Sequence, residues 1–141
     1  MKIAIVGLGK MGTQIAKKLH KGGFAVIAHN RSKDPIEEMK ILGMTPAYAK
    51  EEVVGAFGEE RVIIWMMVPA DVVDQELDEW LKIIPQKSIL IDGGNSDFRQ
   101  TKKHAEKVSA SGSILMDVGT SGGIWGYQNG FCMMAGGDTE T

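Results

Sequence analysis

Gly7-Leu8-Gly9-Lys10-Met11-Gly12 constrains this chain more than any other segment, because it lies between a short β-rich run, Lys2–Val6, and an amphipathic stretch, Met11–Lys21. In a strand–turn–helix setting the three glycines of a G-x-G-x-x-G do different things. The first permits a tight turn, the second lets the backbone approach a diphosphate, and the third lets helix and strand pack closely. The helix that follows offers unpaired N–H groups and the positive end of its dipole to an anion. The spacing therefore predicts a dinucleotide cradle built from Gly7, Leu8, Gly9, Lys10, Met11 and Gly12.

Strand-like and helix-like segments alternate along the remainder. Predicted strands are Phe24–His29, Thr45–Tyr48, Arg61–Met67, Ser88–Asp92, Ser113–Val118 and Gly130–Ala135. Predicted helices are Pro35–Leu42, opened by Asp34-Pro35, then Lys50–Phe57, Val72–Ile84 and Phe98–Ala110. Met11, Ile15, Ala16 and Leu19 share one face of the first helix, which Gly22-Gly23 stops. Val73, Leu77, Trp80, Leu81 and Ile84 form a second stripe. Strands separated by helices imply right-handed crossovers and a mostly parallel sheet. The fold class is thus α/β, a Rossmann-type doubly wound sheet with helices on both faces. At 141 residues the chain is long enough for one such domain and too short for two.

In sheets of this kind, ligands bind beyond the carboxyl ends of the strands. The polar and glycine-rich segments fall there. After the second predicted strand come Asn30, Arg31 and Ser32, where an NAD site usually carries an acid for the ribose hydroxyls. Asparagine does not repel a 2′-phosphate, Arg31 can fork onto one, and Ser32 can donate to it. On that basis NADP is expected ahead of NAD. Arg31 as a solvated charge, or stacked on adenine, is the alternative. Val68 and Pro69 follow the apolar run Trp65-Met66-Met67, whose methionines and tryptophan, like Trp80, read as packing residues. Asn95, in Asp92-Gly93-Gly94-Asn95-Ser96-Asp97, can donate and accept together, which suits the space between a nicotinamide amide and a substrate hydroxyl. Ser96 or Asp97 is expected to cap the next helix. Ser121, with the N–H groups of Gly122 and Gly123, forms a small-residue loop able to hold an oxygen anion, or else a plain glycine turn.

Composition narrows the partners. A net charge of −2 gives no broad basic face for nucleic acid or membrane. No apolar stretch approaches the roughly 20 residues of a membrane span, and the apolar start lacks the features of a signal peptide. Cys132 is the single cysteine and is expected as a buried strand thiol, which fits a reducing cytoplasm. His20, His29 and His104 have no metal-ligand spacing, and no metal is expected. His20 reads as a solvated or helix-capping residue, His29 as structural or flanking adenine, and His104 as lying on an outer helix.

Four segments, GLGKMG at 7–12, WMMVPA at 65–70, IDGGNSD at 91–97 and GTSGG at 119–123, together resemble the 6-phosphogluconate dehydrogenase family within the β-hydroxyacid dehydrogenases. The resemblance spans the whole chain. The stretch 119–137 is similar to a bacterial branch with shorter chains, and IDGGNSD is the most specific piece. The resemblance implies oxidative decarboxylation of 6-phosphogluconate to ribulose 5-phosphate in the pentose phosphate pathway, with hydride transfer to NAD(P). It implies that Asn95, Ser121, Gly122 and Gly123 contact substrate or nicotinamide. The family's lysine base and glutamate acid fall on a helix beyond Thr141, and Lys102, Lys103 and Lys107 lie on the wrong helix to replace them. The polar end Thr139-Glu140-Thr141 is consistent with a fragment boundary. Residues 1–141 are therefore expected to be a single cofactor-binding domain without its helical catalytic and dimerisation domain. The resemblance implies that such a domain binds cofactor without turnover and that the parent is a homo-oligomer. The branch also includes NAD enzymes, typically with aspartate at the position of Asn30. Two alternatives stand beside this: another β-hydroxyacid dehydrogenase or an imine reductase, and a non-catalytic nucleotide-sensing module.

Overall fold

The computed structural model describes residues 1–137, and of Ile124 the backbone alone. Thr139, Glu140 and Thr141 lie outside the described residues. Among those described, one sheet contains β1 (Lys2–Val6), β2 (Ala25–His29), β3 (Thr45–Ala47), β4 (Ile63–Met66), β5 (Ile89–Asp92), β6 (Ile114–Ser121) and β7 (Cys132–Gly136). Their spatial order is β3-β2-β1-β4-β5-β6-β7. The first six run parallel and β7 runs antiparallel to β6. The connecting helices are α1 (Lys10–Lys21), α2 (Lys33–Ile41), α3 (Lys50–Phe57), α4 (Val73–Trp80), α5 (Phe98–Ala110) and the single turn α6 (Gly126–Asn129). This is the doubly wound α/β architecture the alternation of segments predicts.

The chain winds outward from β1 in one direction to β3, then crosses to β4 and winds in the other. Right-handed crossovers taken in opposite directions put helices on opposite faces. Side-chain alternation along each strand feeds both. Ala4 and Val6 of β1 join Phe57, Ile64, Met66, Leu77, Trp80 and Leu90 in one core. Ile3 and Ile5 join Ile15, Ala16, Ile36, Met39, Trp65 and Ile91 in the other. Val73, Leu77 and Trp80 of the predicted stripe are fully buried, and burying a Val or Leu side chain contributes about 1.5–3 kcal/mol.

Several boundaries move. The helix α2 starts at Lys33, so Pro35 sits inside its first turn. Its missing N–H costs nothing there, because the first N–H groups of a helix have no internal partner. The helix α4 stops at Trp80, and Ile83 and Ile84 both donate to the Trp80 carbonyl before Pro85 ends the run. The strand β6 extends through Ser121, because β7 pairs with its last residues, Ser121 opposite Cys132. Gly119–Ser121 are therefore strand, and the loop begins only at Gly122.

Cys132 corrects an expectation. It is exposed, as is every residue of β7. An apolar run identifies a strand but not its place in the sheet, and among the described residues this strand lies at an edge. His104 differs too. It lies on α5 yet is buried, with Nε2 3.5 Å from Asp74 Oδ1. Among the described residues no helix is long and apolar enough to cross a membrane, and no three potential ligands cluster as a metal site.

Candidate functional site

Parallel strands place all their carboxyl ends on one side, and the sheet order then fixes the order of the loops: Asn30–Ser32 after β2, the glycine loop after β1, Val68-Pro69 after β4, Asn95 after β5 and Ser121–Gly123 at β6. From β2 to β6 is four strand spacings, about 19 Å. In such sheets the ligand crevice lies where the winding reverses, which here is between β1 and β4.

The glycine loop has a division of labour visible in its surroundings. Gly7 has φ +94°, and a Cβ there would lie 2.5 Å from the Met67 carbonyl oxygen. The first glycine is thus demanded both by its backbone conformation and by β4. A Cβ on Gly12 would overlap the Gly7 carbonyl oxygen and come 3.2 Å from Met67 Cβ, so the third glycine lets α1 rest on the loop. Gly9 is different: a Cβ there meets nothing within 4 Å. The middle glycine faces open space. It is also the N-cap of α1, with no side-chain cap bond and no acidic residue in the first turn. The leading N–H groups of Lys10, Met11 and Gly12 are thus left for an anion. Leu8 stands apart: its side chain is buried and its N–H is donated to Asn30 Oδ1 at 3.0 Å.

At the end of β2, Arg31 and Ser32 are exposed, and no ion pair ties Arg31 to another described residue. His29 is buried, with Nδ1 2.9 Å from the Ala47 carbonyl and its ring edge-on to Trp80, which is a structural role. Val68 leans on the glycine loop, its Cγ1 3.1 Å from where a Gly7 Cβ would stand, and Pro69 is exposed.

The β5 loop explains both of its glycines. A Cβ on Gly93 would lie 2.5 Å from Met67 Sδ and 2.6 Å from Trp65 Nε1; on Gly94, 2.5 Å from the Val68 carbonyl oxygen. What the two glycines approach is the end of β4. Asp92, wholly buried, organises this loop: Oδ1 accepts from Gly94 N at 2.8 Å and Oδ2 from Ser96 Oγ at 2.7 Å. Sequence reasoning assigned Asp92 no role. Its signal was a carboxylate two residues after Leu90, on the same buried face. Asn95 is exposed in a left-handed conformation, φ +59°, that asparagine tolerates better than most residues. Asp97 rather than Ser96 caps α5, accepting from Arg99 N at 2.9 Å. Ser121, Gly122 and Gly123 are exposed one strand further on, with φ +132° at Gly122 and +49° at Gly123.

Asp117 lies beside Asp92 in register on β6. Burial, and then the Asp92 carboxylate, push its carboxyl above the ordinary value. The folded state therefore holds this proton more tightly than the unfolded chain. The associated stability is present below the unfolded pKa and is lost as pH rises through the raised folded value. Asp117→Asn removes that loss. Thermal unfolding should show a higher Tm for the variant at pH 7 and no difference near pH 3.

A concavity of about 630 Å³ beside Lys17, His20 and Leu42 lies elsewhere, toward the far end of α1. His20 lines it, with Nδ1 buried and unpartnered.

Residues 2–141 match the family model for the NAD binding domain of 6-phosphogluconate dehydrogenase. The chain is 35% identical to the NAD(+)-dependent, decarboxylating 6-phosphogluconate dehydrogenase of Haloferax volcanii, over 97% of this chain and 45% of that protein. Among solved structures, 6-phosphogluconate dehydrogenase of Plasmodium falciparum, described apo, with NADP+ and with 6-phosphogluconate, superposes with TM-score 0.87. It is 24% identical, over 99% of this chain and 31% of that one. The 3-hydroxyisobutyrate dehydrogenase of Mycobacterium tuberculosis gives TM-score 0.85 at 22% identity, over 99% of this chain and 47% of that one. These two likenesses speak to the fold. The chain spans less than half the length of each of these relatives.

Proposed function

The chain belongs to the family of NAD-binding domains of 6-phosphogluconate dehydrogenase, and from that premise we propose that it is the cofactor-binding part of a longer enzyme that oxidises and decarboxylates 6-phosphogluconate, with NADP ahead of NAD as the acceptor. The observation that carries the proposal is the contrast within the glycine loop. Gly7 and Gly12 are closed in by the chain's own backbone, while Gly9 opens on free space before an uncapped helix terminus. That arrangement suits a diphosphate.

A bound nicotinamide would supply the hydride acceptor for oxidising the sugar acid. The chain's own residues bind and orient. The first-turn amides of α1 hold the diphosphate, and Arg31 with Ser32 faces the adenine ribose and its 2′-phosphate. Val68 and Pro69 wall the crevice. Asn95 offers a donor and an acceptor together at the nicotinamide end. Ser121 and the amides of Gly122 and Gly123 take a substrate hydroxyl or carboxylate. Lys107 is no base for this reaction, being held by Asp74 and Asp78 between α5 and α4. The lysine base and glutamate acid, on this proposal, come from the helical half of the enzyme, as do its dimer contacts.

Calorimetric titration of the 141-residue chain tests the proposal. Saturable one-to-one binding of NADP, with NAD weaker, is expected, together with no reduction of NADP when 6-phosphogluconate is added. Turnover by this chain alone would refute the division of labour. Binding of neither dinucleotide would refute the cofactor assignment. In the longer enzyme, oxidation of 3-hydroxyisobutyrate in preference to 6-phosphogluconate would refute the substrate.

A further inference from the structure

Asn30 is where two loops of the crevice meet. Its Oδ1 accepts the Leu8 N–H at 3.0 Å, while its Nδ2 donates to Ser32 Oγ at 2.9 Å and to the Ser32 carbonyl at 3.3 Å. A single amide thus joins the second position of the glycine loop to the Arg31-Ser32 loop. Both ends of the amide are engaged, which fixes its orientation. A carboxylate in its place could accept from Leu8 N–H and from the Ser32 hydroxyl, but has no proton for the Ser32 carbonyl. The site is built for an amide.

Two consequences follow for the neighbours. Because Ser32 Oγ accepts from Asn30, the hydroxyl's own proton is free to donate outward. Arg31, exposed and without an ion pair among the described residues, takes its direction from the backbone on either side of it. Asn30 and Ser32 are those two sides.

We propose that Asn30 is a positioning residue, which ties the Arg31-Ser32 loop to the glycine loop before any ligand arrives, so that the 2′-phosphate and diphosphate groups of one dinucleotide meet a single preformed surface. The proposal rests on the dinucleotide assignment above. It gives Asn30 a different part from a ribose ligand: its hydrogen-bonding groups are spent on the protein, and it acts through Arg31 and Ser32. A loop ordered in advance loses less freedom on binding, and this is where its contribution to affinity arises.

The test uses the 141-residue chain with Asn30→Ala, Asn30→Asp, Arg31→Ala and the Asn30→Ala/Arg31→Ala pair. Dissociation constants are measured for NADP, NAD and 2′,5′-ADP, and the exchange rate of the Leu8 amide is measured without ligand. Asn30→Ala should weaken NADP and 2′,5′-ADP by roughly five- to tenfold, the scale of ordering a loop side chain on binding. It should weaken NAD less, and speed Leu8 exchange. In the Arg31→Ala background, removing Asn30 should cost NADP no more than it costs NAD. Asn30→Asp keeps the acceptor for Leu8, so exchange there should stay as slow as in the native chain while NADP remains weak. This variant guards against a general loss of fold in Asn30→Ala. Additive losses from Asn30→Ala and Arg31→Ala would overturn the proposal, since two side chains that act on the ligand independently add, whereas one that acts through the other does not. So would unchanged Leu8 exchange in Asn30→Ala. A native chain that binds neither dinucleotide overturns the cofactor assignment, and this proposal with it; additivity in a chain that binds overturns this proposal alone.

Discussion

Gly9→Ala should abolish most dinucleotide binding while leaving the protein as stable as before, and Gly12→Ala should damage both. The two positions are three residues apart, one at the N-cap and one in the first turn of α1, and their surroundings are opposite. At Gly9 the backbone is extended, φ −71°, a conformation alanine adopts freely, and the added methyl meets no atom of the protein. Its only obstruction is to whatever occupies the crevice. Affinity for NADP and NAD alike should fall at least about tenfold, or 1.4 kcal/mol, with Tm unchanged or slightly raised. At Gly12 the methyl runs into the Gly7 carbonyl, and α1 must move off the loop. Overpacking of this kind costs about 1–3 kcal/mol, so Tm should fall together with binding. Calorimetry and thermal unfolding on both variants decide the matter. Unimpaired binding by Gly9→Ala would mean that the diphosphate does not lie on this loop.

Arg31→Ala should separate the two cofactors. Arg31 is exposed at the end of β2 and belongs to neither core, so its removal should not alter folding. Losing a charge-assisted contact to a 2′-phosphate should weaken NADP by about 1.5–3 kcal/mol, roughly ten- to 150-fold. NAD has no phosphate there, and its affinity should hold. High salt should diminish the NADP advantage of the native chain, since this contact is solvent-facing. Equal losses for NADP and NAD would place the guanidinium on the adenine ring instead.

Much of this architecture is legible before any coordinates. The glycine stop at Gly22-Gly23, the Val73-Leu77-Trp80 stripe and the Phe98–Ala110 helix are local signals, and local signals survive folding. The placing of five polar loops on one side follows from parallel topology alone. What escaped depends on neighbours far apart in sequence. Cys132 is apolar enough for a core, but its exposure is settled by β7 ending the sheet. Ser121 belongs to a strand because Cys132 pairs with it, and nothing within residues 119–123 announces that. Asp92 could be seen as a strand-end acid, but its service to Gly94 and Ser96 emerges only once the loop curls back over it. A pair of glycines such as Gly93-Gly94 signals a close approach but not to what; the partner, the end of β4, lies far earlier in the chain.

The exposed last strand has a practical side. Cys-Met-Met-Ala-Gly at the rim of the sheet carries no charge and no proline, the devices that ordinarily keep one molecule's backbone from hydrogen-bonding to another's. Met134 is 78% exposed and Met133 43%, so the same rim is soft toward peroxide, with sulfoxide as the product. In concentrated solutions of this 141-residue chain, that rim is the expected place for strand pairing between molecules and for methionine oxidation, and keeping peroxide out protects it, since a thiol reductant does not restore the thioether.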